Sequence, residues 1–200
     1  MIADLAPVLE ALLLAADQPL SVERLRQIFD EHDGVDHKHI RQALRGLQGS
    51  YEGRGYELVE VASGFRFQVR QDYALWVARL WQEKPQKYSR ALLETLSIIA
   101  YQQPITRGEI ELIRGVGVSS SIVHTMLERG WIRSVGHKEV PGRPELFATT
   151  KEFLDHFNLK QLSDLPALED LESWDEATMA PAKLNQPVQQ EIEVVTEPIH

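Results

Sequence analysis

Apolar residues recur at helical spacing from the first stretch of the chain. Val8, Leu12 and Ala15/Ala16 form a stripe that Leu9 and Leu13 widen, and Gln18-Pro19 breaks it. That pattern predicts an amphipathic helix. Ser21 is placed to cap a second helix, Val22 to about Glu31, with Leu25, Ile28 and Phe29 facing inward. A polar turn from His32 to Val35 follows. Asp36 can cap a third helix, in which Ile40, Leu44 and Leu47 recur. The period then changes to two. Val59 and Val61 flank Glu60, and after Ser63-Gly64 the residues Phe65, Phe67 and Val69 alternate with Arg66, Gln68 and Arg70. This predicts a β-hairpin with one wet face. Tyr73, Trp76, Val77 and Leu80 suggest a closing helix.

The same order returns after the polar segment Lys84-Pro85-Gln86-Lys87. Ser89 caps a helix with Leu92, Leu96, Ile99 and Ala100 on one face. Thr106-Arg107-Gly108-Glu109 reads as a capping box opening the next helix. Arg114-Gly115-Val116-Gly117 is a turn. Ser119 to Ser121 start a third helix with Ile122, Val123, Met126 and Leu127 inward, and Gly130 ends it. Trp131–Val135 and Glu145–Thr149 can pair as strands around the loop Pro141-Gly142-Arg143-Pro144. Phe153, Leu154 and Phe157 predict a last short helix. The repeat is visible in the letters: LEALLLAADQPLS at 9–21 against LETLSIIAYQQPIT at 93–106.

Three helices and a hairpin, twice, predict a mainly α fold with small antiparallel β-hairpins, arranged as two tandem winged helix-turn-helix domains. Residues 1–82 form the first domain, 83–88 a linker and 89–168 the second. Residues 169–200, with prolines, acids and no sustained period, predict a disordered acidic tail.

Charge sharpens the division. The chain of 200 residues carries net −9, placed as −3 in 1–82, +2 in 83–160 and −8 in 161–200. The body is near neutral, a poor generic binder of polyanions, because phosphate neutralisation drives most non-specific nucleic-acid affinity. The absence of cysteine excludes a disulfide framework, a thiolate metal site and a cysteine nucleophile. The apolar run Leu9–Ala16 is short, is interrupted by Glu10 and follows no basic region, so it reads as neither signal peptide nor membrane span. A soluble cytoplasmic protein is expected.

Candidate chemistry is sparse. His32, His37 and His39 with Asp33 and Asp36 have metal-binding side chains but straddle a turn and a helix start. A solvated turn is the expected reading, since a metal needs converging ligands. There is no Gly-rich phosphate loop, GxSxG or HExxH, and Ser119-Ser120-Ser121 serve best as a helix start. No catalytic, cofactor or metal residues are expected. The outward face of the third helix in the first unit offers His39, Arg41, Gln42 and Arg45. In the second unit it offers His124, Thr125 and Glu128. Arg66, Arg70 and Arg143 could touch a DNA backbone, so a winged-helix DNA-binding transcription regulator is the alternative reading. Trp76, Trp81, Tyr88, Tyr101 and Trp131 serve either core packing or partner contact.

From Ser89 the sequence SRALLETLSIIAYQQPITRGEIELIRGV, then MLERGWIRSVGHKEVPGRPELFATTKEFLDHFNLKQLSDLPAL, closely resembles the bacterial segregation and condensation protein B (ScpB) family. The likeness is looser from Leu9 to Arg70, including YELVEVASGFRFQVR. The resemblance implies a non-enzymatic, nucleoid-associated subunit. It would dimerise mainly through the first domain and bind the kleisin ScpA, which bridges the ATPase heads of an SMC protein. The complex would condense and segregate the chromosome, with DNA contact by this subunit weak or indirect. The family's second-domain pattern falls on Tyr101, Pro104, Ile105, Thr106, Arg107, Glu109, Arg114, Gly115, Leu127, Arg129, Gly130, Pro141, Gly142, Arg143 and Pro144. Arg107, Arg114 and Arg143 have no evident local duty in the sequence. With Tyr101 they are the candidates for partner binding, and Trp131, which stands where an aliphatic residue is expected, joins them as a fifth.

Overall fold

Two hydrophobic cores that share no residue organise the chain in the computed structural model, which describes residues 4–81 and 88–167. Most of the expected linker and the tail lie outside the described residues. The first core gathers three helices, α1 (Ala6–Ala15), α2 (Val22–Arg26) and α3 (His37–Ser50), over the hairpin β1 (Tyr56–Val61) and β2 (Gly64–Val69). Leu9, Leu25, Ile40 and Leu44 are completely buried. The apolar stripes bury together because each helix leaves only one face without water.

Caps set the helix starts. The Ser21 hydroxyl accepts from Arg24 N at 3.0 Å, and the Asp36 carboxylate accepts from His39 N at 2.8 Å. The second helix is shorter than its sequence pattern. After Arg26 the amides of Ile28 and Phe29 reach back only three residues, to Leu25 and Arg26. The Arg26 guanidinium donates to Phe29 O at 2.8 Å. This tightened turn puts Phe29 inside and leaves Ile28 exposed, against the expected inward position.

In the hairpin Leu58 opposes Phe67 and Glu60 opposes Phe65, on the core face, whereas Val59 opposes Arg66 on the other. Gly64 at the tip has φ +142°, and a Cβ there would stand 2.3 Å from Leu20 O. The tip must be glycine for the hairpin to bridge Leu20 to Phe65 through reciprocal backbone hydrogen bonds of 2.9 Å. The helix α4 (Ala74–Trp81) forms as expected, but none of its described side chains joins either core. Tyr73, Leu75, Trp76 and Leu80 are all exposed, Trp76 and Leu80 by 63% and 73%.

The second core repeats the order with α5 (Arg90–Gln102), β3 (Ile105–Thr106), α6 (Arg107–Arg114), α7 (Ser120–Glu128), β4 (Ile132–His137), β5 (Glu145–Thr149) and α8 (Lys151–His156). The face Leu92, Leu96, Ile99 and Ala100 is buried as its spacing predicts. Buried Thr95 satisfies its hydroxyl on Ala91 O at 2.8 Å. The sheet order is β3-β5-β4, all antiparallel. Ile105 pairs with Phe147 in β3–β5, as Leu20 bridges Phe65 in the first half. The repeated Pro-aliphatic-hydroxyl triplets thus do the same work twice: pair with the hairpin's second strand, then cap the next helix. Leu127, expected inward on α7, is 39% exposed, while Met126 takes the fully buried place.

The halves meet around the tip of the first hairpin and along its outer face. Ala62 N donates to Leu159 O, and Ser63 N donates to the Asp155 carboxylate, each at 2.9 Å. Arg66 donates to Asp155 O at 2.9 Å and to the Asn158 side chain at 2.8 Å. Lys160 pairs with Glu60 at 2.6 Å. Val61, on the same face as Arg66, is 3% exposed yet belongs to neither core. The face expected to be wet is therefore partly roofed by the segment after α8. Among the described residues no helix is long and apolar enough to cross a membrane.

Candidate partner-binding surface

The start of α6 fixes the geometry of the second half. Thr106 donates from both its backbone N (2.9 Å) and its hydroxyl (2.8 Å) to Glu109 Oε2, and its hydroxyl accepts from Glu109 N at 3.3 Å. Lys138, from β4–β5, binds the other oxygen of the same carboxylate. Lys138 first, then the Thr106 amide and hydroxyl, hold Glu109 down at about 2. The capping box thereby also anchors the strand loop.

Arg107 follows immediately. Its guanidinium donates to Glu111 and to the Ser120 hydroxyl, both at 3.1 Å, and to the carbonyl of Val118. Glu111 in turn accepts from Val118 N at 2.9 Å, and that bond, with Arg107 second, lowers its pKa. Arg107 and Glu111 together clamp the entry into α7. The local duty absent from the sequence pattern is a clamp between helices, formed by residues up to 13 positions apart.

Beside this clamp lies a groove of about 520 Å³. One wall is Ser120, Val123, His124 and Leu127 of α7; the other is Pro144, Glu145 and Phe147 of the loop and β5; Arg107 completes it. It is mostly apolar with polar groups along its edge, the composition of an interface core and rim. His124 pairs with Glu128 at 3.2 Å on the outer side of α7.

The five sequence candidates separate. Arg107 lines the groove, and Arg143 adjoins it through Pro144. Arg143 sits at φ +38° with its side chain 70% exposed, paired to Glu139 at 3.0 Å. Arg114, at the opposite end of α6, has a side chain only 8% exposed and binds Glu94 at 3.1 Å. Its Nε is buried without a partner. Leu112, Ile113 and Val116 around it are 82%, 56% and 56% exposed, forming a second apolar surface. Tyr101 is half-buried on α5 and does not line the groove.

Trp131 is 3% exposed and belongs to the core. Its ring packs against Tyr88 at 5.1 Å, His156 at 4.7 Å and Phe157 at 5.7 Å, and Arg129 stacks over it at 5.3 Å. That placement gives the indole a packing role. Val123, Leu127 and Phe147 are not legible in the sequence as groove residues because apolar positions on a short helix or strand are first assigned inward. The usable signal was Val123 and Leu127 at i, i+4 beside Ser120 and His124.

The remaining candidates also resolve into local contacts. Arg70 binds Glu57 at 2.9 Å and donates to Tyr51 O and Arg54 O, and Arg66 is engaged by α8. His37 pairs with Glu23 and His39 with Asp36, on different partners. No cluster of three metal-ligating side chains occurs among the described residues.

The described residues are thus mainly helical with two small antiparallel sheets, and the second half carries a largely apolar groove. Residues 7–168 match the family described as segregation and condensation complex subunit ScpB, and the chain belongs to that family. It is 56% identical over 164 residues to a segregation and condensation protein B homolog of Coxiella burnetii, covering 82% of this chain and 78% of that one. It is 44% identical over 169 residues to segregation and condensation protein B of Syntrophotalea carbinolica, covering 84% and 83%. A crystal structure of ScpB from Mycobacterium tuberculosis is 32% identical, covering 77% of this chain and 94% of that chain, with a TM-score of 0.35.

Proposed function

We propose that this protein is a non-enzymatic subunit of a bacterial SMC–kleisin complex, cytoplasmic and nucleoid-associated, supporting chromosome condensation and segregation. Each half is a winged helix-turn-helix: three helices, a short bridge before the second, and a hairpin whose second strand receives that bridge. The observation that carries the proposal is the family match across both cores, residues 7–168.

Residues 89–168 bind the kleisin ScpA, which connects this subunit to the SMC ATPase. The kleisin segment docks in the groove between α7 and β5. Val123, Leu127 and Phe147 supply apolar burial, and Arg107 and Arg143 set register at the edge. A segment that orders as it binds loses chain entropy, so apolar contact must supply most of the drive. Supporting this reading, α7 carries no lysine or arginine and so lacks a phosphate-seeking face.

Residues 1–82 make a homodimer. The exposed Tyr73, Leu75, Trp76 and Leu80 of α4 and the turn before it are the apolar surface for a second copy. Co-expression with the kleisin and co-purification, followed by mass measurement of the complex, tests the assignment. A stable complex containing two copies of this chain is expected; failure of the kleisin to co-purify rejects it.

A further inference from the structure

The helix α3 stands apart from the rest of this acidic chain. Its sequence, HKHIRQALRGLQGS, has three Lys/Arg and no acid, within a protein of net charge −9. Its counterpart in the second half, α7, has Glu128 and no Lys/Arg. Lys38, Arg41 and Arg45 are all exposed and fall at i, i+3, i+7, one face of the helix. At 1.5 Å per residue they extend over about 10 Å.

Of the neighbouring acids, Asp36 interacts with Lys38 and Glu60 lines the same depression as Arg41 and Arg45, and each acid also has another partner. Glu23 is held by His37, Glu60 by Lys160, and Asp36 by the His39 amide, with its pKa lowered chiefly by that bond. Arg41 and Arg45 make no ion pair or hydrogen bond among the described residues. Both line two adjoining depressions. One is shared with His37, Lys38 and Gln42, the other with Gln48, Glu60, Phe65 and Lys160.

We propose that the α3 face contacts the phosphate backbone of duplex DNA without reading its sequence. Arginine matches phosphate geometry bidentately. An α-helix with its side chains, about 10–12 Å across, fits the major groove of B-form DNA, about 12 Å wide. The deep, narrow major groove of A-form RNA does not admit it. A lipid surface would need large apolar side chains beside the cations, and none of the exposed large apolar residues lies on α3. The proposal rests on the complex reading only in that a subunit of a segregation and condensation complex works beside a chromosome. It places weak DNA contact in the half of the molecule opposite to the kleisin groove.

The test is titration of fluorescent random-sequence duplexes with the full chain, over roughly 50–200 mM salt. Three phosphate contacts give a log K against log salt slope of about −2.7, and removing two brings it to about −0.9. R41Q/R45Q is expected to weaken binding at low salt and flatten the slope, with its unfolding midpoint and kleisin affinity unchanged. R41K/R45K is expected to retain most of the slope. Duplexes of different sequence are expected to bind alike.

The proposal is overturned if the parent binds no duplex at the lowest salt, or if R41Q/R45Q binds with the parent slope. It is overturned equally if a single palindromic site is strongly preferred, or if anionic vesicles or acidic peptides bind with the same arginine dependence while duplex does not. Kleisin affinity measured on the same variants separates this failure from failure of the complex reading.

Discussion

Replacing Trp131 by alanine separates a core residue from an interface residue. The indole is 3% exposed and touches three other rings and Arg129. A buried tryptophan removes about 200 Å² from water, which at about 25 cal/mol per Å² corresponds to about 5 kcal/mol. The unfolded chain already buries part of that area, which reduces the figure by roughly 10–40%. Lost ring contacts act in the other direction, at about 0.5–1.5 kcal/mol per pair. The net expectation is a loss of about 3–5 kcal/mol, within the range seen for such truncations. With a urea dependence of about 2 kcal/mol per molar, the unfolding midpoint of the second half falls by about 2 M. Trp131→Phe keeps a ring in the site and should lose about half as much or less. Urea unfolding followed by far-ultraviolet circular dichroism measures both, since the fluorophore itself is removed. A Trp131→Ala protein with the parent midpoint but lost partner affinity would refute the packing assignment.

Three further outcomes follow from local contacts. Glu109 titrates at about 2 instead of 4.5, so its stabilising contribution is present above about 4.5 and is lost as pH falls through about 2. The stability difference between parent and Glu109→Gln should shrink over that window; a difference constant with pH would refute the capping-box and Lys138 account. Arg66→Ala should accelerate amide exchange at Ala62 and Ser63 while leaving α3 and α5 protected, because Arg66 holds the first hairpin to α8; unchanged exchange would show that the contact does not hold the hairpin in place. If the proposed homodimer forms through α4, Trp76→Glu with Leu80→Glu should convert it to monomer in sedimentation without lowering the stability of the first core, since neither Trp76 nor Leu80 is buried in that core; an unchanged dimer would move the second-copy surface elsewhere.

Much of the local structure was legible in the letters. Ser21, Asp36, Ser89, Thr106 and Ser119 all cap helices, because a short polar side chain before an apolar period has one favourable place. The Leu92–Ala100 face follows from period, and the start of β5 from the proline- and glycine-rich loop before it. What escaped depends on distant partners. The period of α4 shows an apolar face but not that Tyr73, Leu75, Trp76 and Leu80 stay exposed among the described residues. The two-residue β3 is too short to have a period. Arg107 and Arg114 show no evident duty in the sequence because Val118, Ser120 and Glu94, which they bind besides Glu111 on α6 itself, come from other elements. The outer face of the first hairpin read as wet because only the folded chain brings Asp155, Asn158 and Leu159 onto it.

The most direct measurement of the central claim compares kleisin affinity of the full chain with that of two surface variants. Leu127→Glu places a charge in the groove between α7 and β5, whereas Leu112→Glu places one on the separate apolar surface beside Arg114. Both parent residues are exposed, so both variants should keep the parent's circular dichroism spectrum. Titration calorimetry with the purified kleisin should show Leu127→Glu weakened by more than about tenfold, about 1.4 kcal/mol, with Leu112→Glu close to the parent. Parent-like binding by Leu127→Glu, or loss confined to Leu112→Glu, would contradict the groove as the kleisin site.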